Sequence, residues 1–401
     1  MAPCPISTNL ILDSRYSIGY LWTMAETIMD EEWELLASFL PAEWRDLARE
    51  TGAMRRARGE ITSPEVLLQV LLMHVATGLS LQQTAARARA QGLASLSDVA
   101  LLKRLRTSEM WLGELARRMF EASRFRRTGI RVPEAHRLRA VDATTVQEPG
   151  ATGTDWRIHY SLSLPDMRCD FYEVTDAKGG ETCKRIPVQE GDIILADRGY
   201  SRREGVAHVL RAKGDVIVRL SSASFPLLEA AEEVPFEILA HLRDLRGHEP
   251  GEWPVRFAAH GELWPVRLCA IRKSRHAAQR AREKILRRAS KRQAEVRPET
   301  LELAEYIFVL VSLPIEVLSV EEALDLYRAR WQIELCFKRL KSLFQLGHVP
   351  KRSDASARAW IEGKLLTALL IERLIDEARL FSPWGFEIAA AQPLEGVPGG
   401  A

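Results

Sequence analysis

Three acidic side chains stand where the chain could put them to chemical use. Asp197 follows the apolar run Ile193-Ile194-Leu195-Ala196 and precedes Arg198-Gly199-Tyr200, and Asp142 follows Leu138 to Val141 in Val-Asp-Ala-Thr-Thr. Each sits at the expected end of a buried strand. A carboxylate there is shielded on one side and open on the other, which suits a hard divalent cation. Taken singly, either Asp serves equally well as the cap of a turn or helix. The third acid, Glu334, lies on a helix expected over 320–344, in line with Tyr327, Arg330 and Lys341. At about 100° per residue these four fall within roughly 60° of one another. Ile333, Phe337, Leu340 and Phe344 form a separate apolar stripe, so the core face of this helix is accounted for without the polar row. The row reads as exposed side chains, with Arg330 to Glu334 and Glu334 to Lys338 as helical ion pairs, or as a functional row. A Tyr in line with them serves no ion pair.

The pattern around these residues indicates the elements that must position them. From 25 to about 125 the periodicity is helical. Ser63-Pro64-Glu65 gives a cap, a Pro at the first helical position and an early acid, and apolar residues then recur to Val75. Two short helices follow, over 80–90 and 97–106, separated by a break at Gly92. The second carries Lys103, Arg104 and Arg106, so the pair reads as a helix-turn-helix entering a DNA groove, or as part of a plain helical bundle. At Arg137 the pattern shifts to strands, expected over 138–141, 156–164, 169–175, 192–196 and 216–220, with a helix over 201–213. This alternation predicts an α/β core. Residues 221–304 read as an insertion with short strands over 253–257 and 263–271 and a basic helical run. A strand over 305–311 and helices over 320–344 and 355–380 complete the pattern. The expected divisions are an arm or upstream extension over 1–24, a helical DNA-binding domain over 25–135, the first part of the core over 136–220, the insertion over 221–304, the second part of the core over 305–382, and a disordered tail over 383–401.

With 401 residues, 46% hydrophobic and 27% charged, the chain is long and apolar enough to fold as two or three domains. The apolar runs at 66–75 and 365–371 are about half the length that spans a bilayer, and no signal peptide opens the chain, so a membrane protein is excluded. Five scattered cysteines without metal-ligand spacing fit a reducing cytoplasm. A formal net charge of +2 conceals uneven blocks: 103–139 holds eleven basic and four acidic residues, and 272–297 eleven basic and two acidic. Such density on a nearly neutral chain is the footprint of a phosphate-backbone binder, although each block alone also reads as a solvated helix face. His159, in an expected strand, reads as a core or surface histidine before a catalytic base.

Asp142 in Val-Asp-Ala-Thr-Thr, Asp197 in Asp-Arg-Gly-Tyr and the Tyr-x2-Arg-x3-Glu-x6-Lys row from Tyr327 to Lys341 resemble the signatures of bacterial DDE transposases of the insertion-sequence-four type. The resemblance covers roughly residues 60 to 382 in the family's order. It implies a ribonuclease H-like core interrupted by a strand-rich insertion and preceded by a helical domain. It further implies that Asp142, Asp197 and Glu334 hold two Mg²⁺ or Mn²⁺ ions for phosphoryl transfer on DNA. Tyr327, Arg330 and Lys341 would then contact phosphates near the cleaved strand.

Similar enzymes pass through a hairpin intermediate helped by an aromatic side chain, commonly Trp, that stacks on a flipped base. By spacing ahead of Glu334 the matching residue here is Tyr306, with Trp253 and Trp264 as alternatives. The implied partners are the element's terminal inverted repeats, target DNA and a second copy of the chain. The implied location is the cytoplasm, at the nucleoid. Two rival expectations share these residues: a simple ribonuclease H-like nuclease, and a catalytically inactive or truncated DNA-binding relative acting as a repressor. The second is prompted by the Ala-, Gly- and Pro-rich stretch after Pro383, where family members usually continue with helical sequence.

Overall fold

Five helices of this chain begin at a serine whose hydroxyl caps them. In the computed structural model Ser63, Ser80, Ser97, Ser274 and Ser319 each accept a backbone N–H from the first turn of the helix that follows. Each bond satisfies a donor that has no partner inside the helix. The structure describes residues 33–380 apart from 56–59, 122–129, 152, 165–166, 222–223, 246, 248, 343–344 and 352. The arm expected over 1–24, the tail over 383–401 and Phe344 lie outside the described residues. The rest fall into two units, one drawn from 1–123, 146–153 and 338–401, the other from 124–145 and 154–337.

The first unit is helical: α1 (Trp33–Ser38), α2 (Trp44–Glu50), α3 (Pro64–Thr77), α4 (Leu81–Ala90), α5 (Asp98–Thr107) and α6 (Glu109–Glu121), with a long helix over Asp354–Leu380. Helix α3 is apolar almost all round, and Leu67, Leu68, Val70, Leu71, Leu72 and Val75 are all buried, as a helix without a polar face must be. The long helix packs on α3, α5 and α6. Its Gly363 lies so close to Val75 that an added Cβ would stand 3.0 Å from a Val75 methyl. At the other side Trp44 and Trp111 stack at 6.3 Å, and the Trp111 indole N–H donates to the Trp44 carbonyl. The pair α4 and α5 packs across a turn in which Gly92 takes φ +69°, matching the two short helices expected from the sequence.

The second unit is built on one sheet: β1 (Arg137–Val146), β2 (Trp156–Ser163), β3 (Arg168–Asp176), β4 (Asp192–Ala196), β5 (Asp215–Arg219), β6 (Leu228–Glu229), β7 (Gly251–Ala259), β8 (Glu262–Arg272) and β9 (Tyr306–Val311). The nine strands lie in the order β3-β2-β1-β4-β5-β9-β8-β7-β6. Strands β1, β4 and β5 are parallel neighbours, and from β5 onward the pairing is antiparallel. All five residues of β4 are buried, as befits a central parallel strand covered on both faces. The helices of this unit are α7 (Arg203–Arg211), α8 (Ile238–Arg243), α9 (Arg275–Arg292), α10 (Pro298–Leu303), α11 (Val320–Ala329) and α12 (Trp331–Ser342), the last shared with the first unit; the long helix is α13. The architecture is mixed α/β. No helix among the described residues is long and apolar enough to cross a membrane.

Three local features differ from the sequence reading. The strands of the expected insertion are hydrogen-bonded into the same sheet as the core, because residues 267–272 of β8 pair with β9. Strand β1 runs on to Val146, so Asp142 lies inside it and not at its end. The helix expected over 320–344 is two helices. Arg330 N–H bonds to the Tyr327 carbonyl and Ile333 N–H to the Arg330 carbonyl, and these i to i−3 bonds tighten the chain into a break at Arg330.

Candidate active site

The register of β1 on β4 brings the two aspartates together. The last registered pair is Val141 with Ala196, so Asp142, still within β1, and Asp197, the first residue after β4, each follow one step beyond it. Asp142 Oδ1 accepts the Ala143 N–H at 2.7 Å. Asp197 Oδ1 accepts the Gly199 N–H at 2.7 Å and so caps the tight turn Arg198–Tyr200. Burial pushes the Asp142 carboxyl up to about 7, and the Asp197 carboxylate pushes the same way; the Ala143 N–H and Arg330 oppose them. Two acids this close compete for a positive charge.

Arg330 supplies one. Its Nη1 lies 3.5 Å from Asp142 Oδ2, and its Nη2 donates to Glu334 Oε1 one helical turn on. The break at Arg330 aims the guanidinium, which is 14% exposed, at both carboxylates. One guanidinium therefore joins Asp142 to Glu334 although 191 intervening positions separate them in the chain. The guanidinium also sits 5.9 Å from the Tyr327 ring centre on α11. Among the described residues no three His, Cys, Asp or Glu side chains are close enough to hold a metal ion. In this conformation a guanidinium lies between two of the three acids.

Of the other residues singled out in the sequence, Lys341 is exposed on the part of α12 that groups with the helical unit. Lys103 and Arg106 are exposed on α5, and Arg104 is half-buried there. Tyr306 is only 3% exposed at the start of β9, with the Arg272 guanidinium 5.7 Å over its ring, so stacking on a base requires this ring to be uncovered first. Trp253 and Trp264 are half-buried. His159 is fully buried and bonded to Thr175 Oγ1 at 3.1 Å, and burial pushes it down to about 4, as a core histidine behaves.

The structure adds residues that the sequence reading left unassigned. Glu181 lies against the Asp-Arg-Gly-Tyr turn: a Cβ at Gly199 would stand 2.1 Å from Glu181 Oε2 and 3.1 Å from Asp197 Oδ1. Arg198 and Arg219 repel one another, and Arg219 also acts on Tyr327, which gathers cationic side chains beside the acids. Arg198 was visible in its motif. Glu181 sits in an irregular Gly-Gly-Glu-Thr stretch with no periodicity to mark it.

The transposase DDE domain family matches residues 133–370, a span that holds Asp142, Asp197 and Glu334. The chain belongs to this family. Relatives point to its insertion-sequence-four branch. Over 361 residues the chain is 35% identical to InsL of insertion sequence element IS186A from Escherichia coli K12, covering 88% of this chain and 96% of that one. It is 34% identical over 362 residues to the transposase for insertion sequence element IS421 of Escherichia coli, with the same coverage. A more distant match, 23% over 197 residues, is to the transposase for insertion sequence element IS231F of Bacillus thuringiensis subsp. israelensis, covering 46% of this chain and 41% of that one.

Proposed function

We propose that this chain cuts the terminal inverted repeats of an insertion sequence and joins the freed ends to target DNA, with Asp142, Asp197 and Glu334 as the catalytic acids. The observation that carries this reading is that Arg330 bonds to both Asp142 and Glu334, while Asp142 and Asp197 directly follow the last registered pair of the adjacent strands β1 and β4. The order β3-β2-β1-β4-β5, with β1, β4 and β5 parallel, supports a ribonuclease H-like core.

The donor set is all oxygen, the chemistry that suits hard divalent cations such as Mg²⁺ or Mn²⁺, but with Arg330 between Asp142 and Glu334 the acids are not arranged to hold one, so metal binding would require that guanidinium to move away. When bound, two such ions activate the attacking oxygen and stabilise the leaving oxygen of an in-line displacement at phosphorus. The chain's own side chains do the rest. Arg330 neutralises Asp142 and Glu334 in the free protein; turning to a DNA phosphate, it leaves both carboxylates free to ligate. Tyr327 and Lys341 add a neutral hydrogen bond and a point charge to the phosphates near the cut. Lys103, Arg104 and Arg106 on α5 contribute backbone or groove contacts. The protein acts as a homodimer that holds two ends, and a hairpin step would use an aromatic ring freed from its cover, Tyr306 or one of Trp253 and Trp264.

The test is cleavage of duplex DNA bearing the element's ends, with Mg²⁺ or Mn²⁺. Glu334→Gln is expected to abolish cutting while leaving DNA binding intact; a wild-type protein that binds without cutting means a repressor. Joining of the liberated 3′ end to a second DNA separates a transposase from a simple nuclease, which cuts without joining.

A further inference from the structure

The basic run over 275–292 forms a helix that the candidate active site leaves unused. Helix α9 carries eight Lys and Arg residues against one acid, Glu283, and Ala278 is its one buried residue. At about 100° per residue Arg280, Lys284, Arg287 and Lys291 fall within roughly 60° of one another, about 150° round the helix from Ala278. All four are exposed. Among the described residues Arg280, Lys284 and Lys291 form no ion pair, while Arg287 meets Glu283 at 3.5 Å. The opposite side is tied down, where Arg282 Nη1 donates to Glu305 Oε1 at 2.9 Å. The row therefore faces away from the side of α9 that packs.

Such a row is unfavourable by itself. Lys284 stands four residues from both Arg280 and Arg288, and Lys291 four from Arg287, and like charges at that spacing destabilise a helix. The macrodipole favours cations in the last turn, so it accounts for Lys291 and Arg292 and not for Arg280 or Lys284. A polyanion relieves the repulsion. The four charges span about 16 Å of helix, a length over which one strand of duplex DNA presents roughly five phosphates. Apart from Leu286, the apolar side chains of α9 are alanines and Ile285, without the bulky face that seats a helix in a membrane surface.

Strand register decides where this helix starts. Arg219, at the end of β5, pairs with Val309, and Tyr306, at the start of β9, pairs with Arg272, the last residue of β8. Because β5 runs parallel to β4, the end of β8 lies at the same edge of the sheet as Asp197, and α9 starts from that edge, capped by Ser274. We infer that Arg280, Lys284, Arg287 and Lys291 dock the phosphate backbone of duplex DNA, whatever its sequence, beside the sheet edge that carries the candidate acids. Contacts of this kind fix position without reading bases. The inference rests on the DNA-cutting reading for its purpose and adds a binding surface outside the Tyr327 to Lys341 row and α5.

The experiment is fluorescence anisotropy of the full chain on two labelled duplexes, one bearing the element's ends and one of unrelated sequence, across a range of salt concentrations. Changing Arg280, Lys284, Arg287 and Lys291 together to Gln, which keeps a good helix former at each position, is expected to lower the slope of log affinity against log salt by about three to four units on both duplexes. The melting temperature should hold or rise, since the change removes repulsion. Should that variant not fold, Arg280→Gln with Lys284→Gln decides, with about two units expected. Arg275→Gln, on the other side of α9, is the control for bulk charge and should leave the slope unchanged; a loss equal to that of a row residue overturns the row. So does an unchanged slope in the four-Gln variant, including the case in which that variant instead loses binding to vesicles of phosphatidylserine and phosphatidylcholine. A loss confined to the end-bearing duplex overturns sequence independence. If wild type binds without cutting and the four-Gln variant still loses its slope, the docking row stands and the catalytic reading falls.

Discussion

Arg330 is the residue on which the geometry of the acids turns. It is held by both Asp142 and Glu334 and is mostly covered, so its release to a phosphate exchanges one pair of charge-assisted bonds for another. Arg330→Ala is expected to weaken binding to the cleaved end and to flatten its salt dependence by about one unit of slope, as for one lost phosphate contact. An unchanged slope, measured by titration across salt concentrations, would leave Arg330 as a purely internal bridge. The sequence nominated Arg330, Glu334 and Tyr327 by type and spacing, but through the assumption of one continuous helix. Nothing in Tyr327-Arg-Ala-Arg-Trp331 carries a glycine or proline to announce the break, and it is this break that aims the guanidinium at a distant strand.

At the scale of elements, caps were legible because they are local: Ser63, Ser80 and Ser97 stand where short polar residues precede apolar periodicity. Strand pairing was not. Arg139 on β1 is 4% exposed and donates to Asp170 on β3 at 2.7 Å, to Asp192 on β4 at 2.9 Å and to the Pro187 carbonyl. Asp192 is fully buried, so the ion pairs tie the strands that carry the candidate acids. Arg139→Met is expected to destabilise the sheet unit by about 3 kcal/mol, because it leaves buried carboxylates with fewer partners. The check is urea unfolding. A loss below about 1 kcal/mol would mean that Arg137, which also reaches Asp192, neutralises it alone.

At the scale of the whole molecule, the helical unit carries buried titratable groups that tie its stability to pH. His74 is 2% exposed and bonded to Thr84 Oγ1, and burial, with Lys351 and Lys364 adding to it, pushes it down to about 3 from an ordinary 6.5. Below about pH 6.5 the unfolded chain takes up a proton that the folded chain refuses, so stability falls as pH drops toward 3, by at most about 1.4 kcal/mol per pH unit. Lys351 and Lys364 are pushed down by burial to about 8 from 10.5, so the unfolded chain also binds more protons between those values and stability rises as pH climbs through them. Melting temperatures across this range should show both slopes, and His74→Gln should flatten the acid one; an acid slope that persists unaltered would assign it to other groups. What the sequence determined by itself was the candidate residues and the local elements: each acid's own motif, the Tyr327 to Lys341 row, the caps and the apolar runs are each encoded within a short stretch of chain. Only the tertiary structure decided that β1 lies beside β4 in a register whose last pair, Val141 with Ala196, directly precedes Asp142 and Asp197, that the strands over 221–304 extend the core sheet, and that Glu181 reaches the Asp-Arg-Gly-Tyr turn. These follow from pairing and packing between segments far apart in the chain, where free energy depends on partners that no local spacing records.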